Sequence, residues 1–191
     1  MQGQKLKFFS LCLFLILSFG AKTQNFVEVQ TERKGDVEVY HIAKMDLLIE
    51  NGNLSLQTTD KTPSFLQQIN ICKEKSTCKL LYNNKLKEGF LFVEPSKEIK
   101  EGCNVYHIKN KSIISLGYLS FAAYTSENGE RMNYNSILPY ISVIRSDKRT
   151  LLFFNTPIVV FFPNSTKEQI LESKNFYHTL ENNTFVLQNY K

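Results

Sequence analysis

Apolar and polar residues alternate along much of this chain, and a period of two predicts β-strands. The pattern is clearest over 45–58, where Asn51-Gly52 is the preferred pair for a two-residue type I′ turn. Such a turn sets Ile49 opposite Leu54, and Leu48 becomes the single apolar residue on an otherwise polar face. The other face is expected to be buried and consists of Met45, Leu47, Ile49, Leu54 and Leu56.

Several other turn signals separate strand-like runs. Asn128-Gly129 would pair Thr125 with Met132, and Asn182-Asn183 would set His178 opposite Leu187. A helix continuing through Leu180 is the alternative for that last region. Asn83-Asn84 marks a further turn, and a hairpin loop is expected over 146–149. The remaining predicted strands are 26–30, 37–42, 80–82, 90–93, 105–108, 113–125, 140–145, 151–154 and 158–162.

Two segments carry helix signals. Thr62-Pro63 supplies an N-cap and a first helical residue, which predicts a short helix near 63–70. Ser165 and Glu168 form a capping box, which predicts a second short helix near 166–174.

These elements predict a mainly β fold, with α+β as the variant if both helices form. We expect antiparallel strands and hairpins in a sandwich or barrel-like arrangement around one core. No linker or charge block divides the chain, so residues 21–191 are expected to form a single domain. The sequence Val-Tyr-His-Ile occurs twice, at 39–42 and 105–108, which is too short a match to predict a repeat architecture.

The N-terminus has the layout of a secretory signal peptide, predicted here as residues 1–20. Lys5 and Lys7 precede an uncharged apolar run over 8–19, and Gly20 and Ala21 are small residues suited to cleavage. The run is shorter than the stretch of about 20 residues that spans a bilayer. We therefore expect a secreted or periplasmic protein whose mature chain has no membrane span.

Charge argues against nucleic acid as a partner. Lys5 and Lys7 leave with the signal, so the net charge falls from +5 to +3. The basic residues are mixed with acids, which is typical of a solvated surface rather than a nucleic-acid footprint.

Three cysteines remain after cleavage: Cys72, Cys78 and Cys103. In an oxidising compartment we expect one disulfide among them, with a slight preference for the local pair Cys72–Cys78. Their spacing does not supply a zinc site, and no metal or other cofactor is predicted.

Four sequons would accept glycans if the host is eukaryotic. Their asparagines are Asn53, Asn110, Asn164 and Asn182.

The three histidines do not form a recognisable catalytic pattern. His41 and His107 lie in predicted strands, where partial burial is the simpler interpretation. Cys103 and His107 are four residues apart on one strand, which places them more than about 10 Å from each other. Since the motifs of hydrolases and nucleotide-binding proteins are also absent, no catalytic residue is predicted.

Aromatic residues give the remaining functional signal. Tyr118, Tyr124, Tyr134 and Tyr140 cluster around the second predicted turn and would suit a ligand pocket or a partner surface. The sequence therefore favours a non-catalytic protein that binds a small apolar ligand or an envelope or extracellular protein. A small secreted hydrolase, with a site assembled only by the fold, is the alternative.

Overall fold

The computed structural model describes residues 23–59, 64–71, 76–95, 102–120, 124–127, 130–133, 136–155, 158–161, 168–171 and 176–189. The predicted signal peptide and Cys72 lie outside these ranges. The strands, in chain order, are β1 (Thr23–Asn25), β2 (Val27–Glu28), β3 (Thr31–Lys34), β4 (Val37–Ile42), β5 (Met45–Glu50), β6 (Asn53–Thr58), β7 (Phe65–Asn70), β8 (Ser76–Asn83), β9 (Glu88–Pro95), β10 (Gly102–Lys109), β11 (Ser112–Ser120), β12 (Tyr124–Glu127), β13 (Glu130–Asn133), β14 (Ile141–Ser146), β15 (Arg149–Phe154), β16 (Ile158–Phe161), β17 (Glu168–Leu171), β18 (Phe176–Glu181) and β19 (Thr184–Asn189).

The strands form three five-stranded antiparallel sheets, which confirms the predicted mainly β fold. The N-terminal sheet has the order β3-β4-β5-β6-β7, the central sheet β11-β10-β9-β8-β2, and the C-terminal sheet β1-β14-β15-β18-β19. Two hairpins, β12-β13 and β16-β17, form separate two-stranded sheets. Within the described residues, the first and last strands of each five-stranded sheet do not pair with each other, so none of these sheets closes on itself.

The central sheet is the middle layer of a three-layer sandwich, and alternate side chains of its strands enter two different cores. On β9, Phe90 and Phe92 pack towards the C-terminal sheet, whereas Leu91 and Val93 pack towards the N-terminal sheet. All four side chains are fully buried. The expectation of one core is therefore wrong, because a sheet that is apolar on both faces needs a cover on each side.

The hairpin of β5 and β6 has the predicted turn and register. Asn51 and Gly52 have φ values of +49° and +74°. Ile49 pairs with Leu54, and Leu47 pairs with Leu56. The five apolar side chains of the predicted inner face are all buried in the core shared with the central sheet, whereas Leu48 is half-buried on the other face.

Three other turn predictions are confirmed. Asn182 and Asn183 both have positive φ, and His178 pairs with Leu187, so 176–181 is a strand rather than a helix. Thr125 pairs with Met132. A two-residue turn, Asp147-Lys148, joins β14 to β15.

Both helix predictions are wrong where the structure describes them. Residues 65–70 form β7, whose Ile69 pairs with Leu54 of β6, and residues 168–171 form β17. Cap signals contribute about 1 kcal/mol, and sheet pairing outweighs them here. The single helical element among the described residues is a 3₁₀ turn, Leu138–Tyr140, and no described helix is long and apolar enough to cross a membrane.

Two buried charges fix that 3₁₀ turn against the central sheet. The Lys79 ammonium group donates to the carbonyl oxygens of Leu138 and Ile141 at 2.9 and 3.1 Å. Glu94 Oε1 accepts from the Ile137 amide at 3.1 Å. Lysine and glutamate are rarely this buried without partners, so these contacts account for their place in the core.

Candidate functional site

Five hairpin turns of the three sheets lie together at one end of the sandwich, which we call the turn end: residues 43–44, 84–87, 110–111, 147–148 and 182–183. The antiparallel registers bring the turns of each sheet to the same end, and shared cavities show that the three sheets are aligned there. Each turn contains at least one non-glycine residue at positive φ, such as Ala43 (+52°), Lys87 (+52°) and Lys111 (+61°). This backbone conformation is uncommon outside glycine.

A cavity of about 520 Å³ lies at the turn end between the N-terminal and central sheets. We call it the Tyr82 cavity; its lining consists of Ala43, Lys44, Met45, Tyr82, Lys87, Asn110 and Lys111. Met45 begins β5 directly after one turn, and Tyr82 is the last buried apolar residue of β8 before another; together they supply an apolar, aromatic lining. A cavity of this size is typical of sites for small molecules.

The hydroxyl of Tyr82 is buried and has no hydrogen-bond partner among the described residues. Burial raises the pKa of this phenol, so the group stays protonated and can donate. A buried polar atom without a partner is rare in native proteins and costs about 1–3 kcal/mol. The side chain of Tyr82 lines the cavity, whereas its hydroxyl has almost no accessible surface, so a ligand would reach this donor only after the side chain shifts.

Three lysines surround this lining. Lys44, Lys87 and Lys111 come from three different turns and are exposed. No acidic residue is among the described residues that line the cavity, and none of these lysines forms an ion pair with a described side chain. The cavity therefore combines an apolar wall with a positively charged rim.

A second cavity, of about 500 Å³, lies on the other side of the central sheet, and we call it the Glu88 cleft. It is lined by Gln24, Leu86, Glu88, Lys109, Arg145, Asp147 and Lys148. Leu86 and Lys109 belong to this cleft, whereas their neighbours Lys87 and Asn110 belong to the Tyr82 cavity. The turns of the central sheet thus separate the two cavities.

Glu88 is the centre of a buried charge network in this cleft. Its side chain is 2% exposed and accepts hydrogen bonds from Arg145 and, at 2.8 Å, from His107 Nε2. The Lys109 ammonium group lies 3.5 Å from its other oxygen. Burial alone would raise the pKa of this carboxyl, but the hydrogen bond from His107 and the charges of Arg145 and Lys109 outweigh it and hold the pKa below its usual value. Glu88 is therefore ionised at neutral pH.

The three histidines have different surroundings. His107 is buried and stacks on Phe90 with ring centroids 4.7 Å apart. His178 is also buried, and burial lowers its pKa to about 4. His41, in contrast to the expected partial burial, lies on the exposed face of the N-terminal sheet between Glu32 (3.0 Å) and Asp46 (2.7 Å), whose hydrogen bonds raise its pKa.

The expected disulfide is not observed: neither Cys78 nor Cys103 is in a disulfide in the structure. Strand β9 lies between the two, since Val93 pairs with Cys78 on one side and with Asn104 on the other. Two strand spacings are about 10 Å, which exceeds the span of a disulfide. The Cys103 thiol faces the opposite core from Cys78 and has a raised pKa because it is fully buried, so it is not a nucleophile.

Two of the four tyrosines that the sequence suggested for a pocket or partner surface can be placed. Tyr118 is exposed and Tyr140 half-buried, and neither lines the two cavities; Tyr134 and the side chain of Tyr124 lie outside the described residues. The signal that could have indicated Tyr82 is its place one residue before the Asn83-Asn84 turn. The side chain of Asn83 forms that turn by accepting from the amides of Lys85 and Leu86.

Three of the four sequon asparagines are described. Asn53 lies at a hairpin turn at the opposite end of the N-terminal sheet, and Asn182 lies at a hairpin turn of the C-terminal sheet but lines neither cavity. Asn110 lines the Tyr82 cavity, so a glycan on it would stand at the opening of the cavity. Asn164 lies outside the described residues.

Comparison with known proteins adds no relative: no family model matches the chain, and neither a curated protein nor a solved structure matches it. The functional argument therefore rests on the geometry of the turn end.

Proposed function

We propose that this chain is an exported, non-catalytic binding protein that takes a small, largely apolar ligand in the Tyr82 cavity. The observation that carries the proposal is the cavity of about 520 Å³, whose wall includes the buried side chains of Met45 and Tyr82. A ligand with an apolar body would fill it, and a shift of the Tyr82 ring would let an acceptor on that ligand pair with the hydroxyl, which has no partner among the described residues. The signal-peptide pattern at 1–20 supports a secreted or periplasmic location.

Titration calorimetry with a neutral apolar probe, decan-1-ol, tests this proposal. The probe's hydroxyl can accept from Tyr82, so Tyr82→Phe should weaken binding about tenfold, as expected for the loss of one buried hydrogen bond. Tyr40→Phe is the matched control, because it removes a tyrosine hydroxyl from the same core at a position that does not line the cavity. Equal effects of the two substitutions, or no binding to the unmodified chain, would contradict the proposal.

A hydrolase is the second candidate, and the contact between His107 and Glu88 is the observation that favours it. An acid beside a histidine at a cleft is an arrangement that general acid–base catalysis uses. However, the described lining of the Glu88 cleft contains no serine, threonine or cysteine, and two cations, Lys109 and Arg145, already contact the carboxylate. Hydrolysis of p-nitrophenyl acetate that is lost in His107→Gln, at unchanged stability, would favour this second function over binding.

A further inference from the structure

We infer that the ligand of the Tyr82 cavity is an amphipathic anion whose charged group is bound by Lys44, Lys87 and Lys111. This inference rests on the proposed binding function and adds the chemical class of the ligand. It starts from the contrast between the wall of the cavity and its rim.

The wall and the rim of the cavity suit two different parts of one ligand. Met45 and Tyr82 present apolar surface, which favours a hydrocarbon or aromatic body. The three lysines present ammonium groups at the opening, where they remain hydrated and can bind an anion without a large desolvation cost. A neutral apolar molecule would not pair with the lysine ammonium groups, and a simple inorganic anion would not cover the apolar wall.

The convergence of the lysines depends on three separate turns. Lys44 follows Ala43 in the turn of the N-terminal sheet, whereas Lys87 and Lys111 lie in two turns of the central sheet. Lys87 and Lys111 occupy positive φ, where glycine or asparagine would be the easier choice. At each of these positions a lysine therefore stands in a backbone conformation that costs it energy.

The wider surface of the turn end favours the same class of ligand. Further basic residues lie there: Lys85, Lys109, Arg145, Lys148 and Arg149. The acids nearby are fewer, and one of them, Glu88, is buried and paired. Although the mature chain is only weakly basic overall, this end carries a concentrated positive field, which attracts anions and accelerates their association.

Calorimetric titration of the full mature chain with three matched probes tests the inference. Decanoate carries a carboxylate, decyl phosphate carries a phosphate, and decan-1-ol has the same chain without a charge. We expect both anions to bind at least tenfold more tightly than the alcohol, with affinity that falls as salt is added. The tighter of the two anions identifies the head group.

Replacement of the three rim lysines by glutamine provides the specific variant. Lys44→Gln, Lys87→Gln and Lys111→Gln together should reduce decanoate affinity roughly tenfold and should change decan-1-ol affinity much less. The control removes charges at the opposite end of the N-terminal sheet, with Arg33→Gln and Lys34→Gln, and should retain most of the decanoate affinity. Urea melts of both variants confirm that each is folded.

The possible failures are distinguishable. If decanoate and decan-1-ol bind equally and the rim variant changes neither, the inference is overturned while the binding function stands. If no probe binds, both are overturned. Binding to vesicles of anionic phospholipid without binding to monomeric decanoate also overturns the inference, because the lysines would then form a membrane-binding surface.

Discussion

At the scale of single residues, the position of Tyr82 depends on Gly89, which pairs with it across β8 and β9. A Cβ atom on Gly89 would lie 2.6 Å from Cδ2 of Tyr82, so the ring can cover the backbone only because the side chain is absent. The sequence shows both residues but not their pairing. The length of the 84–87 turn sets that register, and Asn83-Asn84 indicated only that a turn exists.

His178 should make the protein sensitive to mild acid. Its folded-state pKa of about 4 lies below the ordinary value of 6.5, and its Nδ1 atom is buried without a partner among the described residues. The unfolded chain therefore binds a proton more readily, and the free energy of unfolding falls as the pH falls from about 6.5 towards 4. From pH 8 to pH 5 this contribution is about 2 kcal/mol.

Urea melts of His178→Phe at pH 8 and pH 5 provide the measurement. Phenylalanine fills the same space beside Phe154 and cannot be protonated. The variant should lose about 2 kcal/mol less stability than the unmodified chain over this range. An unchanged pH dependence would show that His178 is not held neutral by burial.

Glu88→Gln should be strongly destabilising at neutral pH. The substitution removes the charge that Arg145 and His107 contact in a buried site, and breaking such a pair typically costs about 3 kcal/mol. Glu38→Gln is the control, because the Arg33 partner of Glu38 is largely exposed, and it should cost less than about 1 kcal/mol.

The same variant has a predicted pH dependence. The pKa of Glu88 is lowered in the folded state, so its stabilising contribution is present above the unfolded value of 4.5 and is lost as the pH falls through the folded value. Urea melts should thus show the gap between the unmodified chain and Glu88→Gln narrowing below pH 4.5. A gap that is constant with pH would contradict the ion-pair account.

At the scale of elements, the hairpin of β5 and β6 gives the sharpest test of turn chemistry and burial. Gly52→Val should cost roughly 1–3 kcal/mol, because a β-branched residue fits poorly at a φ of +74°. Leu47→Lys should cost about 4 kcal/mol or prevent folding, since Leu47 is fully buried. Leu48→Lys should cost only about 1 kcal/mol, because its side chain is half-buried on the outer face.

Urea unfolding of these three variants measures the three predicted losses of stability. Equal costs for Leu47→Lys and Leu48→Lys would mean that both faces of the hairpin are covered. The N-terminal sheet would then not be the outer layer of the sandwich.

The same hairpin shows why some elements were predictable and others were not. Asn51-Gly52 fixes its own register within a few residues, so local chemistry is sufficient. Residues 65–70 form a strand because β6 offers them pairing partners and because Gln67 bonds to the backbone of Ile113 on β11, at 2.9 and 2.7 Å. These contacts come from residues distant in sequence, whereas the Thr62-Pro63 cap signal is local.

At the scale of the whole molecule, the two Val-Tyr-His-Ile sequences occupy strands of two different sheets that share one core. Tyr40 and Ile42 of β4 enter the same core as Tyr106 and Ile108 of β10. The two histidines therefore point away from that core in opposite directions, His41 to solvent and His107 into the other core. The alternating pattern predicted that the side chains of each strand point to opposite faces of its sheet. It did not show that the two sheets pack against each other with these tyrosine and isoleucine side chains between them.

The candidate site is also a property of the whole molecule. The sequence predicted a ligand-binding protein from its aromatic content and its lack of catalytic motifs, and that function stays a prediction. The location of the site could not be predicted, because the Tyr82 cavity is formed by turns from two sheets that are far apart in sequence. Only the stacking of the layers brings Lys44 beside Lys87 and Lys111.

Methyl NMR with ¹³C-labelled methionine tests the central claim most directly. Beyond the predicted signal peptide the chain has two methionines: Met45 lines the Tyr82 cavity, and Met132 belongs to β13 in a separate two-stranded sheet. On addition of decanoate, we expect the Met45 methyl resonance to shift in proportion to occupancy while that of Met132 stays in place. A stationary Met45 resonance, or a Met132 resonance that moves as far, would contradict a ligand site at the Tyr82 cavity.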